Sequence, residues 1–118
     1  AVNMSFSTKR DDLIQLIKSI KRNQIKKIVI VGDFNEPSHL DDKIPWKCSI
    51  FLKKCGFVDS VRYLSSDPLL TYNTYNTEPY PKDRIDLVYH RDIKPIQQKL
   101  IPNRGLSDHR PVLVKFEI

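Results

Sequence analysis

The sequence contains no apolar stretch long enough to cross a lipid bilayer, no recognisable signal peptide, no internal repeat and no low-complexity tract. These absences favour a soluble globular protein; its location is unknown, with the cytoplasm slightly favoured. The length of 118 residues is that of one domain. Because 40% of the residues are apolar, the chain can form a hydrophobic core.

Cysteine is scarce, and the two cysteines, Cys48 and Cys55, fall on one predicted helix. At a rise of about 1.5 Å per residue, their spacing along that helix separates them by roughly 10 Å. A disulfide requires Cα atoms within about 7 Å of each other. We therefore predict two free thiols in the core, which is compatible with a reducing compartment.

Acidic residues are outnumbered, with 14 Asp and Glu against 20 Lys and Arg, which gives a net charge of +6. This excess favours an anionic partner such as nucleic acid, a phosphorylated metabolite or an acidic lipid headgroup. A solvated basic surface explains it equally well. Much of the charge lies in positions 18–27, at a predicted helix end where cations suit the helix dipole.

Hydrophobic periodicity predicts about six strands and two helices. The strands cover Val2–Phe6, Ile28–Val31, a piece beginning at Phe57, and residues 83–89, 93–101 and 111–118; the helices run from Ser7 or Thr8 to about Arg22 and from Pro45 to a cap at Gly56. Ile28–Val31 is apolar on both faces and is predicted to be a central strand. The fold class is α/β (α+β), with a mixed, mostly antiparallel sheet and helices on one face. Two helices cannot cover both faces, so a partner or a further part of the protein should cover the other.

The most informative motif is Gly32-Asp33-Phe34-Asn35, which directly follows the apolar run at 28–31. Asp33 can bind a hard cation or orient a water molecule, and Asn35 can hydrogen-bond a phosphoryl oxygen. Magnesium prefers such oxygen ligands, which suits phosphate-ester chemistry. The alternative is a turn in which Asp and Asn bond only their own backbone.

Two further acidic positions lie at or beside strand ends. Asp86 falls within an apolar strand and needs a partner, because a buried lone carboxylate is costly. His109 is the natural partner, since an Asp fixes the tautomer of a His and raises its basicity. Asp108 would point elsewhere, towards a metal or water. Each cluster also has a plainer interpretation: a surface Asp-His pair, or a surface ion pair around Arg84.

Taken in order, Gly32–Asn35, Arg84-Ile85-Asp86-Leu87 and Ser107–Val112 resemble the C-terminal motifs of the endonuclease/exonuclease/phosphatase (DNase I-like) superfamily. The run at 32–40, GDFNEPSHL, resembles an uncharacterised phosphodiesterase-like branch. The resemblance implies that residues 1–118 form the C-terminal half of such a domain. That half would be the second half of a four-layer α/β sandwich.

The resemblance also implies roles for individual residues in a metal-dependent hydrolysis of phosphate esters. Asp33 would activate the attacking water near the metal, and Asn35 would contact the scissile phosphate. Asp86 would orient His109, which would stabilise charge on the phosphoryl group. Asp108 would be a carboxylate on the metal side, with Asp33 also close to the ion. The expected cofactor is Mg²⁺ or Mn²⁺.

The family's N-terminal half supplies an asparagine and the principal metal-binding glutamate, and neither has a counterpart here. Ser5 stands where a functional histidine is expected. We therefore expect activity to require an N-terminal half of the same domain or a partner chain. The alternative function is a non-catalytic half-domain that binds a partner chain or an anionic ligand such as nucleic acid. Dependence on magnesium distinguishes the two.

The substrate class stays open among nucleic acid, a phospholipid headgroup and a sugar phosphate. His39 could approach the substrate, or it could be a loop histidine with a local structural bond. Tyr72, with Tyr75 and Tyr80 in the same predicted loop, could stack on a base or sugar. These tyrosines could equally be packing aromatics.

Overall fold

The computed structural model describes residues 6–41, 47–72, 83–101 and 108–118. These segments form an α+β structure with three helices, five strands and antiparallel sheets. In chain order the elements are α1 (Phe6–Arg22), β1 (Ile28–Asp33), α2 (Lys47–Lys54), β2 (Val58–Asp59), α3 (Ser60–Leu64), β3 (Asp86–Arg91), β4 (Lys94–Leu100) and β5 (Val112–Glu117). No helix in these segments is both long and apolar enough to cross a membrane.

The site is built on a three-stranded antiparallel sheet in the order β1-β3-β2, while β4 and β5 form a separate hairpin. The β1–β3 register runs from Ile28 opposite Arg91 to Asp33 opposite Asp86. β3, and not β1 as predicted, lies in the middle of this sheet within the described segments. An apolar sequence on both faces of a strand does not show what packs against each face. On β1, the face that carries Val31 is exposed.

Helical spacing of apolar residues explains how α1 and α2 attach to the sheet. The buried core comprises Ile20, Ile28, Leu52, Phe57, Leu87 and Tyr89. α1 begins at Phe6, slightly earlier than the predicted cap, and ends at Arg22 as predicted. Gly56 follows α2 with a φ of 87°, the left-handed conformation expected of a C-terminal cap. Cys48 and Cys55 are free thiols, as predicted.

Some of the predicted elements differ from the structure or lie outside the described residues. The strand after Phe57 has only two residues, because the Asp59 side chain accepts a hydrogen bond from the Arg62 amide and starts the unpredicted helix α3. The predicted strand at Val2–Phe6 lies outside the described residues except for Phe6, which is helical. Pro45, Tyr75 and Tyr80 also lie outside them.

A buried ion-pair network joins three segments beside the sheet. The Arg84 side chain, which is almost fully buried, donates through both terminal nitrogens to the buried Asp59 carboxylate. Arg84 Nε donates to Asp41 Oδ2 at 2.8 Å, and Arg62 Nε donates to Asp41 Oδ1 at 2.6 Å. The alternative interpretation of Arg84 as a member of a surface ion pair is therefore wrong. Burial opposes the charge of Arg84, but its carboxylate partners outweigh burial and raise its pKa above the ordinary value.

We expect Arg84→Met to destabilise the fold by about 3–5 kcal/mol, because it leaves the buried Asp59 carboxylate without its cation. Urea unfolding followed by circular dichroism measures the change. The exposed Lys99, changed to Met, is the matched control and should alter stability by less than about 0.5 kcal/mol. A loss below about 1 kcal/mol in Arg84→Met would show that the network contributes little.

Candidate active site

The antiparallel register of β1 and β3 places two carboxylates opposite each other at one end of the sheet. Asp33 is the last residue of β1, and its partner Asp86 is the first residue of β3. The Phe34 amide donates to the Ile85 carbonyl at 2.9 Å, which extends the pairing into the turn. Like charges directly opposite each other are unfavourable in a sheet. This end of the sheet therefore favours a cation or a cationic side chain.

The turn after β1 fixes the Asp33 side chain. Asp33 Oδ1 accepts a hydrogen bond from the Asn35 amide at 2.9 Å. Asn35 has a φ of 53°, in the left-handed region that asparagine tolerates better than most residues. The backbone contact of a simple Asx turn is thus present. The other oxygen of the same carboxylate lies 3.8 Å from His109 Nε2, so Asp33 also faces the histidine.

His109 is oriented by the acid that the sequence suggested. Its Nδ1 lies 2.7 Å from Asp86 Oδ2, within hydrogen-bonding distance. A proton on Nδ1 is donated to the Asp86 carboxylate, so the ring is held with Nε2 pointing away from Asp86. Nε2 lies 3.8 Å from Asp33 Oδ2 and 3.9 Å from Asp108 Oδ1. Both distances are too long for hydrogen bonds, but short enough for strong electrostatic interaction.

The carboxylates around His109 favour its protonated form. Burial alone lowers the pKa of His109, but the hydrogen bond with Asp86 and the charges of Asp86, Asp33 and Asp108 raise it further than burial lowers it. The net pKa is above the ordinary value of 6.5. An imidazolium at this place offsets part of the repulsion between Asp33 and Asp86.

A short segment at Thr71–Tyr72 connects the strand that carries Asp86 to the loop that carries His109. Thr71 Oγ1 accepts from the Ile85 and Asp86 amides at 3.1 and 3.2 Å, and the Thr71 carbonyl accepts from the Arg110 amide at 2.7 Å. The Tyr72 ring centroid lies 4.8 Å from that of His109. Tyr72 therefore borders the cluster, and its role in substrate binding stays a prediction.

The loop after Asn35 is attached to α2 and β3 by buried polar contacts. Glu36 Oε1 accepts from the Cys48 amide at 2.9 Å. The His39 amide donates to Ser49 Oγ at 2.9 Å, and His39 Nδ1 lies 2.5 Å from the same oxygen. Ser49 Oγ also lies 2.7 Å from the Tyr89 hydroxyl. His39 thus makes the local structural bonds that were the alternative interpretation of this residue. Its contact with substrate stays a prediction.

Several supporting residues were not identified from the sequence. Thr71 lies in a long polar segment where no pattern distinguishes it, and Ser49 occupies an ordinary helical position. His90, which has no predicted role, contacts Ser60 Oγ through Nδ1 at 2.7 Å. Arg84 did carry a signal, because a basic residue next to an apolar strand suggests a buried acidic partner.

The cluster has the donors of a divalent-cation site. Asp33, Asp86 and His109 each offer one ligand atom, and these three atoms lie within 4.8 Å of one another. They border an open pocket of about 330 Å³ that Arg110 and Val112 also line. Carboxylate oxygens suit hard cations, and imidazole nitrogen is accepted by several divalent metals. The residues present therefore fit a divalent metal ion.

We expect Asp86→Asn to lower the pKa of His109, because it removes the charged hydrogen-bond partner. In the native protein the raised pKa means that protonated His109 stabilises the fold below pH 6.5, and this stabilisation is lost as the pH rises through the folded-state pKa. A proton NMR titration of the histidine rings in chelator-containing buffer measures the change. His39 and His90 are internal controls. An unchanged His109 titration would contradict the assigned contact.

Comparison with known proteins gives a match over most of the chain. Residues 3–109 match the model of the endonuclease/exonuclease/phosphatase family. An uncharacterized protein of Caenorhabditis elegans is 34% identical over 87 residues, which cover 54% of this chain and 28% of the nematode protein. The chain thus spans about 28% of the length of that curated relative. The comparison with solved structures gives no significant match. With the family match extending over nearly the whole sequence, the chain belongs to the endonuclease/exonuclease/phosphatase family.

Proposed function

We propose that this chain carries catalytic residues of a metal-dependent phosphoesterase, which hydrolyses phosphate esters by attack of water on phosphorus. The observation that carries the proposal is the Asp86–His109 hydrogen bond with His109 Nε2 facing Asp33. Two acids and a histidine held in this way at the end of a sheet supply both an acceptor for the proton of water and a donor for a phosphoryl oxygen.

His109 would stabilise negative charge on the phosphoryl group. Its Nδ1 is engaged by Asp86, so its Nε2–H can donate to a phosphoryl oxygen. The surrounding carboxylates raise the pKa of His109, which favours the imidazolium needed for this role. Asp86 would act through His109 as a positioning residue, because it sets the ring orientation and tautomer.

Asp33 would orient the attacking water and accept its proton. Its carboxylate is held by the Asn35 amide, and it faces His109 Nε2 across 3.8 Å. The water oxygen forms the new bond to phosphorus while the ester P–O bond opposite it breaks. The leaving oxygen takes up a proton from bulk water, and Asp33 releases its proton to bulk water, so that protons and charge balance. Asn35 at the same turn would contact the scissile phosphate.

A Mg²⁺ or Mn²⁺ ion would be held on the acidic side of the cluster by Asp108 and Asp33, because Asp86 and the protonated His109 engage each other. The bound ion would neutralise charge on the phosphoryl oxygens. The support is the donor set itself, with Asp33 opposite Asp86 in register and Asp108 also close to His109. Three carboxylates around one histidine leave a local excess of negative charge. Without a bound cation, this charge would repel a phosphate ester.

We infer that a further layer of protein completes the site. Val29, Val31 and Asp33 alternate along β1 and share one face. Val31 is 69% exposed and Val29 is 38% exposed on that face. An apolar surface beside an acidic cluster suits burial against a second sheet, as in a four-layer sandwich. That layer, from the same protein or a partner chain, would supply the remaining metal ligand.

The substrate classes consistent with this site are nucleic acid, phospholipid headgroups and sugar phosphates. Tyr72 lies against His109 and could stack on a base or sugar next to the scissile phosphate. A panel with one ester of each class would separate them. Loss of one activity in Tyr72→Ala, with the others unchanged, would identify the group that stacks there.

We expect the full-length protein to hydrolyse a phosphate ester in the presence of Mg²⁺, and Asp33→Asn or His109→Ala to lower kcat/KM by about 10²–10⁴-fold. Asn at position 33 keeps an acceptor for the Asn35 amide, so the turn is preserved while the charge is lost. Chelation of the metal should abolish turnover, and added Mg²⁺ or Mn²⁺ should restore it.

Asp92→Asn is the matched control for Asp33→Asn. Asp92 is exposed in the β3–β4 turn with a φ of 59°, which asparagine tolerates. This control should retain normal turnover. Normal turnover in both Asp33→Asn and His109→Ala would contradict the proposal. Salt-sensitive binding of an anion without Mg²⁺-dependent hydrolysis would instead favour the non-catalytic function.

A further inference from the structure

A second surface feature lies at the opposite end of β1 from the cluster formed by Asp33, Asp86 and His109. It is an open groove of about 590 Å³, called here the basic groove, where the end of α1 meets the end of α2 and β3. Ile17, Ile20, Ile25 and Cys55 form its apolar part, and Lys21, Lys26 and Arg91 supply its charges. Along β1, the groove end lies roughly 17 Å from Asp33 at about 3.3 Å per residue.

Among the described residues, the basic groove is lined by three cations and by no acid. The sequence from Leu13 to Gly32 contains five Lys and Arg residues and no Asp or Glu. Lys21 and Lys26 are exposed, and within the described segments neither lies within ion-pair distance of a carboxylate. The helix dipole accounts for cations at the end of α1. It does not account for the aliphatic side chains between them.

Ile25 is held in an exposed position by the backbone of the α1–β1 turn. Its amide donates to the Ile20 carbonyl at 3.1 Å, and the Gln24 amide donates to the Lys21 carbonyl at 3.2 Å. Gln24 has a φ of 55°, which turns the chain at the end of the helix. Ile25 is 47% exposed.

Arg91 adds a fixed cation to the groove. Arg91 Nη1 donates to the Cys55 carbonyl at 2.9 Å, and its guanidinium lies 4.9 Å from the centroid of the Phe57 ring. A guanidinium fixed in this way can bind a phosphate with little further loss of side-chain entropy. Two exposed lysines and one positioned arginine thus line the groove together with Ile25.

We propose that the basic groove docks the protein on membranes that contain anionic phospholipids. Ile25 would enter the headgroup region, and Lys21, Lys26 and Arg91 would contact lipid phosphates. A lipid surface is favoured over nucleic acid because the lining residues are aliphatic and basic and include no aromatic ring to stack on bases. Docking at this end of β1 leaves the Asp33–Asp86–His109 cluster roughly 17 Å from the contact.

The test is co-sedimentation of the full-length protein with phosphatidylcholine vesicles that contain about 30% phosphatidylserine, compared with pure phosphatidylcholine vesicles. The double variant Lys21→Glu/Lys26→Glu should bind at least about tenfold more weakly, since each basic residue near an anionic surface contributes about fivefold. The matched control is Lys99→Glu/Lys115→Glu on the β4–β5 hairpin. Each double variant lowers the net charge from +6 by four, to +2.

Ile25→Ser separates insertion from electrostatic attraction. It should weaken binding to anionic vesicles and retain the salt dependence, because every charge remains. Ile25 is exposed, so far-ultraviolet circular dichroism should show an unchanged fold. The proposal fails if vesicle binding is absent, if it is equal with and without phosphatidylserine, or if the hairpin control loses as much as the groove variant. Binding to single-stranded oligonucleotides but not to vesicles would also overturn it.

Discussion

The register of the β1–β3 pair is the constraint on which the rest of the structure depends. It sets two carboxylates side by side, Asp33 and Asp86, at the end of a sheet whose other positions are mainly apolar. A slip of one residue would turn every side chain of β1 to the opposite face, and Asp33 would then point into the core. The same register that buries Ile28 therefore presents Asp33 to the pocket. The strand pairing that forms this part of the sheet also brings the residues of the site together.

An unfavourable pair of like charges persists only if the surrounding structure holds it. β3 supplies much of this support, because four of its six residues are buried and Tyr89 is fully so. Just before the strand, Arg84 binds Asp59 and Asp41, and Thr71 accepts two backbone amides of the same segment. The position of Asp86 is thus fixed by neutralised charges and satisfied hydrogen bonds. Asp86 in turn fixes His109.

Local pattern predicted the elements well where packing agreed with it, as for α2 with its Gly56 cap and for β1. The Asp86–His109 contact was also predictable, because an acid in an apolar strand requires a partner. Arg84 signalled a buried acidic partner, but the identity of its acids was not predictable, since they lie 25 and 43 positions away in sequence and nothing local identifies them. α3 was missed because five residues give no periodicity, and its start depends on one Asp59 contact. The position of β1 in its sheet was not predictable, because hydrophobic periodicity does not show which strands are neighbours or what packs on the sheet.

The two ends of β1 carry opposite charge, and this separation has a consequence for function. At the Asp33 end, three carboxylates surround one histidine, so a phosphate ester is repelled unless further positive charge is bound there. At the Ile28 end, the described residues that line the basic groove include three cations and no acid. Over roughly 17 Å the two fields are largely screened from each other at physiological salt, where the Debye length is about 8 Å. The proposed binding to an anionic surface and the proposed binding of a phosphate ester would therefore depend on separate sets of residues at the two ends of β1.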